Sequence, residues 1–320
     1  MRKFICKIII FLLIIGIPFI YFNYIYKNTN YYLLTYEQYE VKNAPEDITL
    51  LNLGNSHERD GLRYEKFYNG TSNNFALSSQ PFYYSYQILV NNCENINDNA
   101  VVLIPISYFD WYFDYKGFCL DDKTLNDRYY GMLNPNQMLL FDVDDYFNMG
   151  VFPILSAGQS VQNIYNDLPE PNIEPINETV VNNVEDIAEL KCQAWNRDIM
   201  ADDDNKESVY QDNLRCVKNI IDYCYEKGYV PVLLVSPVTR TLTETMGEEF
   251  IADFDEKNNK LVSLYPDILF LDYSRDEQFC DNLEYFKDSD HLNSIGGDVY
   301  TQRVLADLVE YGVLEQEDLK

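Results

Sequence analysis

The apolar residues divide the chain into one long apolar run at its start and alternating short apolar and amphipathic segments after it. Residues 8–26 carry no charge and have the length that a helix needs to cross the hydrocarbon core of a membrane. Three of the first seven residues are basic, so the positive-inside tendency predicts a cytoplasmic N-terminus and an extracytoplasmic remainder. A cleaved signal peptide is the alternative, but the run lacks the small-residue cleavage pattern of such peptides. We therefore expect a single-pass anchor in the cytoplasmic membrane over residues 1–27, followed by a tether over 28–46.

Beyond the tether, short apolar segments are typical of buried strands and alternate with segments of helical period. The predicted strands are 48–53, 74–77, 101–106, 230–235 and 268–271. The predicted helices are 83–95, 208–227, 244–264 and 294–311. Strands that alternate with helices predict an α/β fold with a mostly parallel sheet that is covered on both faces.

One stretch departs from this alternation. Residues 110–204 are rich in aromatic residues, Asn, Asp and Pro, which predicts an insertion after the third strand of a single domain over 47–320. Insertions of this kind either cover a site at the carboxyl ends of the strands or elaborate the surface, and the sequence leaves both open.

Charge and cysteine content exclude some classes of function. The chain has 52 Asp and Glu against 24 Lys and Arg, a formal charge of −28, which would repel a phosphate backbone over most of its surface. We therefore expect no nucleic-acid partner. The seven cysteines show neither zinc nor redox spacing, so no metal or cofactor is predicted, and the disulfides are left open.

The only two histidines each fall in a local sequence that an acyl-transfer site requires. His57 ends a Gly-Asn-Ser-His turn that directly follows the first predicted strand. In this turn Ser56 is expected to stand at the carboxyl edge of the sheet, where backbone N–H groups face any negative charge that develops beside it. The alternative is that Ser56 only caps the helix that begins there.

The second histidine, His291, follows Asp288 by three residues and precedes the last predicted helix. An aspartate at this spacing can hold one ring nitrogen while the other faces a nucleophile, and Asp290 competes for that role. The ends of the first and last regions of a parallel sheet share one edge, so both motifs are expected at one site.

The Gly-Asn-Ser turn and the Asp288-x-x-His291 motif resemble the first and last conserved blocks of the SGNH (GDSL-like) hydrolase superfamily. The resemblance implies a flavodoxin-like three-layer fold. It also implies that Ser56 is the nucleophile, His291 the base and Asp288 the acid that orients the base.

The resemblance assigns the oxyanion and substrate contacts less completely. Ser79 falls where an oxyanion-hole glycine is usual, and its backbone N–H survives that replacement. A third conserved block of the superfamily carries an Asn, and the segment in its place here, residues 105–109, has none. The hydroxyl of Ser107 or Tyr108 is therefore the expected substitute. Asn55 and His57 are expected to contact the oxyanion or substrate, or, for His57, to pack beside them.

An N-terminal anchor before such a domain is similar to the DltD- and AlgJ-like proteins that assist membrane-bound O-acyltransferases. The resemblance covers about residues 47–109 and 205–311. It implies an exported serine O-acyltransferase that receives acyl groups from a membrane-bound O-acyltransferase and passes them to a cell-envelope polysaccharide or other polymer. Acetyl is the acyl group expected first. A carbohydrate esterase with the same triad and a non-catalytic glycan-binding protein are the alternatives.

Overall fold

A five-stranded sheet lies at the centre of the computed structural model, which describes residues 1–117, 124–155, 162, 164–165, 181–195 and 206–320. The strands are β1 (Ile48–Asn52), β2 (Ser72–Asn74), β3 (Ile96–Pro105), β4 (Val230–Val235) and β5 (Leu269–Asp272). Their order is β2-β1-β3-β4-β5, and every neighbouring pair is parallel. This is the flavodoxin-like order, in which the chain reverses its direction of winding between β1 and β3. The predicted α/β class is confirmed.

Helices precede the sheet, connect its strands and close the chain. They are α1 (Arg2–Lys27), α2 (Asn30–Thr35), α3 (Tyr39–Lys42), α4 (Ser56–Gly61), α5 (Phe82–Asn91), α6 (Thr124–Asp127), α7 (Val143–Asp145), α8 (Val184–Ala194), α9 (Lys206–Lys227), α10 (Arg240–Met246), α11 (Glu248–Leu264), α12 (Glu277–Cys280) and α13 (Ser294–Glu310). Gly247 divides the predicted helix over 244–264 into α10 and α11.

Both faces of the sheet are buried, as the unbroken apolar strands predict. Leu50, Leu103 and Leu234 lie in one apolar cluster with residues of α13. Leu51 and Ile104, which point to the opposite face, are fully buried as well. On that side α5 and α9 pack against each other, and α9 contacts β4. The sheet therefore lies between two helical layers, as predicted.

The second strand ends earlier than the sequence pattern indicates. The pattern predicts a strand over 74–77, whereas β2 ends at Asn74. The Asn74 side chain accepts a hydrogen bond from the Ala76 backbone N–H (3.0 Å). This local bond turns the chain away from the ladder, so the apolar residues after Asn74 are buried in a turn and not in a strand.

The N-terminal apolar run forms one continuous helix. Helix α1 has 26 residues, and its most apolar 18-residue window has a mean hydropathy of 2.6 and is not buried. It is long and apolar enough to cross a membrane. The range predicted as a tether, 28–46, includes α2 and α3, and the Thr29 hydroxyl caps α2 by accepting the Tyr32 N–H.

The chain forms two compact units. One comprises residues 1–42 and 116–174, and the other comprises 43–115 and 175–320. Much of the predicted insertion thus belongs to the same unit as the N-terminal helix. The insertion residues 118–123, 156–161, 163, 166–180 and 196–204 lie outside the described part of the chain, and the predicted domain boundaries stay predictions.

Candidate active site

The local sequence after β1 fixes Ser56 as the first residue of α4 and leaves its hydroxyl available. Asn55 caps the helix, since its Oδ1 accepts the His57 backbone N–H (3.1 Å). The Glu58 carboxylate accepts the Asn55 N–H in return (3.1 Å), which completes a capping box. Because Asn55 takes the capping role, the alternative that Ser56 serves only as the cap does not describe this turn.

Ser56, His291 and Asp288 form one hydrogen-bonded chain. The His291 Nε2 lies 2.8 Å from the Ser56 Oγ. The other ring nitrogen, Nδ1, lies 2.8 and 3.0 Å from the two carboxylate oxygens of Asp288. A proton on Nδ1 is held by the carboxylate, so the lone pair of Nε2 faces the serine hydroxyl. This is the geometry in which a histidine can take the proton of a nucleophilic serine.

The loop that carries His291 is fixed at both ends. Asn293 caps α13, accepting the N–H groups of Ile295 and Gly296 (both 3.0 Å). Its amide also donates to the Glu284 carbonyl (2.7 Å), which ties the cap to the chain before the loop. Asp288 in turn accepts the His291 backbone N–H (2.7 Å), so acid and base are held together by the backbone as well as by the ring.

A second chain of hydrogen bonds runs beside the first through the other histidine. The His57 Nε2 lies 3.0 Å from Asp290 Oδ2, and its Nδ1 lies 3.2 Å from the Ser107 Oγ. The rings of His57 and His291 are 5.0 Å apart at 76°. The sequence leaves open whether Asp288 or Asp290 orients His291. The structure places Asp288 in direct contact, while Asp290 Oδ1 is 3.4 Å from the ring and its other oxygen binds His57.

The predicted oxyanion and substrate residues lie in two places, Ser79 in the turn after β2 and the others in a buried region beside the triad. Ser79 has a φ of +51°, a conformation that favours glycine, in the turn after β2. Asn55, His57 and Ser107 are buried and bound to one another, since the Asn55 amide donates to the Ser107 hydroxyl (2.8 Å). Tyr108 is buried too. The contacts of these residues with an oxyanion or a substrate stay predictions.

The acidic residues of the loop shift the titration of His291. Burial lowers the pKa of His291, but the carboxylates of Asp290 and Asp288 outweigh it and raise the pKa to about 9. Burial acts to raise the pKa of Asp290, yet His291 and His57 hold it well below its usual range. The loop therefore favours a protonated imidazole at neutral pH.

Sequence reasoning missed two residues of this site. Lys191 of α8 lies 2.9 Å from Asp290 Oδ1 and 3.9 Å from Asp288 Oδ2, and no spacing in the sequence indicates this. Glu58 is fully buried, which raises its pKa, and it accepts a hydrogen bond from the Ser236 hydroxyl (2.6 Å). The Asn55-x-x-Glu58 spacing of a capping box could have identified Glu58.

His57, Asp290 and His291 could also hold a metal ion by spacing alone, since one ligand atom from each lies within 4.8 Å of the others. The Lys191 ammonium contacts the same Asp290 carboxylate and would repel a cation there. The arrangement suits a proton relay better than a metal centre.

The turn between β1 and α4 requires a glycine at position 54, and replacing Gly54 tests this requirement. Its φ is +120°, and a Cβ there would overlap the Glu58 carboxylate and lie 2.5 Å from the Pro105 ring. We expect Gly54→Ala to lower the free energy of unfolding by about 3 kcal/mol, measured by denaturant titration. Gly228→Ala is the matched control, because Gly228 also has a positive φ (+77°) but has no atom within 4 Å of its Cβ position. It should cost about 1 kcal/mol, and an equal loss in both variants would contradict the proposed crowding at Gly54.

The comparisons with known proteins do not assign a function to this chain. No protein-family model and no curated protein matches this chain. A solved structure with which it aligns is a provisionally assigned platelet activating factor from Streptococcus pneumonia. The two are 12% identical, the alignment covers 91% of this chain and 95% of that one, and the TM-score is 0.40. The geometry of the site is therefore the basis for assigning a function.

Proposed function

We propose that this chain is a membrane-anchored, exported serine O-acyltransferase of the SGNH type that acts on a cell-envelope polysaccharide. The observation that carries the proposal is the 2.8 Å contact between Ser56 Oγ and His291 Nε2, with Asp288 on the opposite ring nitrogen. The position of the site supports it, because Ser56 follows β1 and Ser107 follows β3, the two strands between which the winding reverses. Open parallel sheets bind their ligands at this point.

The reaction proceeds in two half-reactions through Ser56. His291 Nε2 takes the proton of the serine hydroxyl while Oγ attacks the acyl carbonyl carbon. The backbone N–H groups of Ser56 and Ser79 would stabilise the oxyanion. The intermediate collapses to an acyl-serine as the donor's leaving group departs with the proton from His291. An acceptor hydroxyl then gives its proton to His291 and attacks the acyl carbon; the bond between that carbon and Oγ breaks, and His291 returns the proton to the Ser56 Oγ.

Two features of the chain favour transfer to a sugar over simple hydrolysis. Helix α1 keeps the chain at a membrane, where a membrane-bound O-acyltransferase would supply acyl groups; a secreted esterase needs no anchor. The rings of Phe109 and Trp195 lie 5.2 Å apart, and Phe109 is 5.9 Å from the His57 ring. Both rings are partly exposed, so they could accept the apolar face of a sugar ring. If water replaces the acceptor, the same residues make an esterase.

A fluorophosphonate probe separates an enzyme from a glycan-binding protein, because only an activated serine reacts with it. We expect the full chain in neutral detergent to take up one label on Ser56, detected by peptide mass spectrometry, and Ser56→Ala to take up none. Ser263→Ala is the matched control, since among the described residues the Ser263 hydroxyl bonds only its own helix, at the Asn259 carbonyl. Absence of label on the folded wild type would count against catalysis by Ser56.

Transferase and esterase are distinguished by following the acyl group. With p-nitrophenyl acetate as donor, a transferase should release nitrophenolate faster when an oligosaccharide acceptor is added and should yield the acetylated sugar by mass spectrometry. Release of acetate alone, at a rate that the acceptor does not change, would assign the esterase activity instead.

A further inference from the structure

A polar cavity lies at the C-terminal end of α1, entirely within the unit formed by residues 1–42 and 116–174. Its volume is about 340 Å³. The residues that line it include Lys27, Asn134, Tyr146, Gly131 and Gly150. The triad residues all belong to the other unit, and the proposed acyl transfer uses none of the residues that line the cavity.

One ammonium group, that of Lys27, belongs to a residue that lines this cavity, and a second, that of Lys42, lies close to the lining residue Gly131. Lys27, the last residue of α1, donates to the Gly150 carbonyl. The Lys42 Nζ lies 3.6 Å from the position that a Cβ on Gly131 would take and 5.5 Å from the centre of the Tyr32 ring. Within the described part of the chain, neither ammonium forms a salt bridge, although the protein has 52 acidic residues. No Asp or Glu of the described residues lines the cavity.

This arrangement leaves an excess of positive charge with incomplete solvation. Burial, followed by the charge of Lys27, lowers the pKa of Lys42 to about 8. Two like charges held near each other away from bulk water are costly unless an anion joins them. No acid among the residues that the structure describes supplies that anion, so the cavity is suited to an anion from outside the chain.

We propose that this cavity binds a phosphate group, supplied by the headgroup of a membrane lipid. Lysine ammonium groups bind phosphate as compact point charges that donate to its oxygens. The location favours a lipid source, because Lys27 ends the helix proposed to cross the membrane, and the phosphate groups of lipids lie where such a helix leaves the hydrocarbon core. Lys27 and Lys42 then clamp one phosphate at the base of the anchor.

The test uses the full chain in a neutral detergent and isothermal titration calorimetry. The ligands are dihexanoyl phosphatidylglycerol, glycerol 3-phosphate and inorganic phosphate. We expect Lys27→Gln and Lys42→Gln each to weaken binding about tenfold, while Lys42→Arg, which keeps the charge, retains most of it. Lys260→Gln is the matched control, because it removes one positive charge from an exposed pair with Glu256 in the other unit.

Each outcome decides the proposal. Phosphatidylglycerol that binds at least tenfold more tightly than glycerol 3-phosphate, with loss in both Gln variants, supports a lipid headgroup site. Equal binding of the soluble phosphates, with the same loss, supports a phosphate site and overturns the lipid source. No binding of any ligand, or equal binding by wild type and both Gln variants, overturns the site. Nitrophenyl acetate turnover should be unchanged in these variants, so failure here is distinguishable from failure of the proposed catalysis. Circular dichroism identifies a variant that does not fold, in which case the other Gln variant carries the test.

Discussion

Ser56→Ala is expected to reduce the turnover of p-nitrophenyl acetate by about a thousandfold or more. The substitution removes the only atom of the triad that would form a bond with the acyl group, while backbone donors and binding contacts remain. The fold should be preserved, because the α4 cap belongs to Asn55 and the Ser56 hydroxyl bonds His291 and not the helix.

The triad also predicts how variants combine. His291→Ala should cost nearly as much as Ser56→Ala, and the double variant should be no worse than either, since residues that act in one step are not additive. Asp288→Asn should have a smaller effect of about a hundredfold or more, because the base loses its orienting charge but keeps its place. Ser263→Ala serves again as the control. Full additivity of the two alanine variants would contradict a shared proton transfer.

The second large effect is the dependence of rate on pH. A base must be neutral to accept a proton, and the pKa of His291 is raised to about 9 by the neighbouring carboxylates. In the free protein about one molecule in a hundred then has a neutral His291 at pH 7. We expect kcat/KM to rise about tenfold per pH unit from pH 6 to 8 and to level off near pH 9. The rate of Ser56→Ala at each pH supplies the blank for spontaneous ester hydrolysis.

Asp290→Asn tests the cause of this shift. The groups that face the His291 ring are the carboxylates of Asp288 and Asp290, the imidazole of His57 and, through both acids, the Lys191 ammonium. Removing the Asp290 charge leaves the contact between Asp288 and His291 in place, so the pH profile should move to lower pH and the rate at pH 7 should increase. A profile that stays in place would show that Asp290 does not set the titration of His291.

How far the sequence predicts this site depends on the distance between its parts along the chain. Ser56 and His291 could be identified because each lies next to the end of a regular element, where local patterns are informative. The links from Asp290 to His57 and from Glu58 to Ser236 join residues 233 and 178 positions apart. The local periodicity of the sequence does not indicate such contacts, because only the folded sheet brings these residues together.

The same reasoning explains where the prediction of the fold from the sequence was wrong. Apolar runs predict the five strands, and their number and direction are confirmed. The predicted end of β2 is wrong because the side chain of Asn74 makes a hydrogen bond that hydropathy does not register. The contribution of Lys191 was missed because α8 lies inside a segment that resembles an insertion and carries no motif.

The division of the chain into two units determines the order in which they can form during synthesis. The N-terminal unit needs residues up to 174, so α1 leaves the ribosome long before the segment that completes its own unit. The other unit begins at residue 43 and includes Ser56, but it receives the proposed base, His291, more than 230 residues after that serine. A chain released early would therefore carry the anchor and the serine without a base. The proposed catalysis would become possible only after His291 has been made, by which time α1 would long have been available for insertion into a membrane.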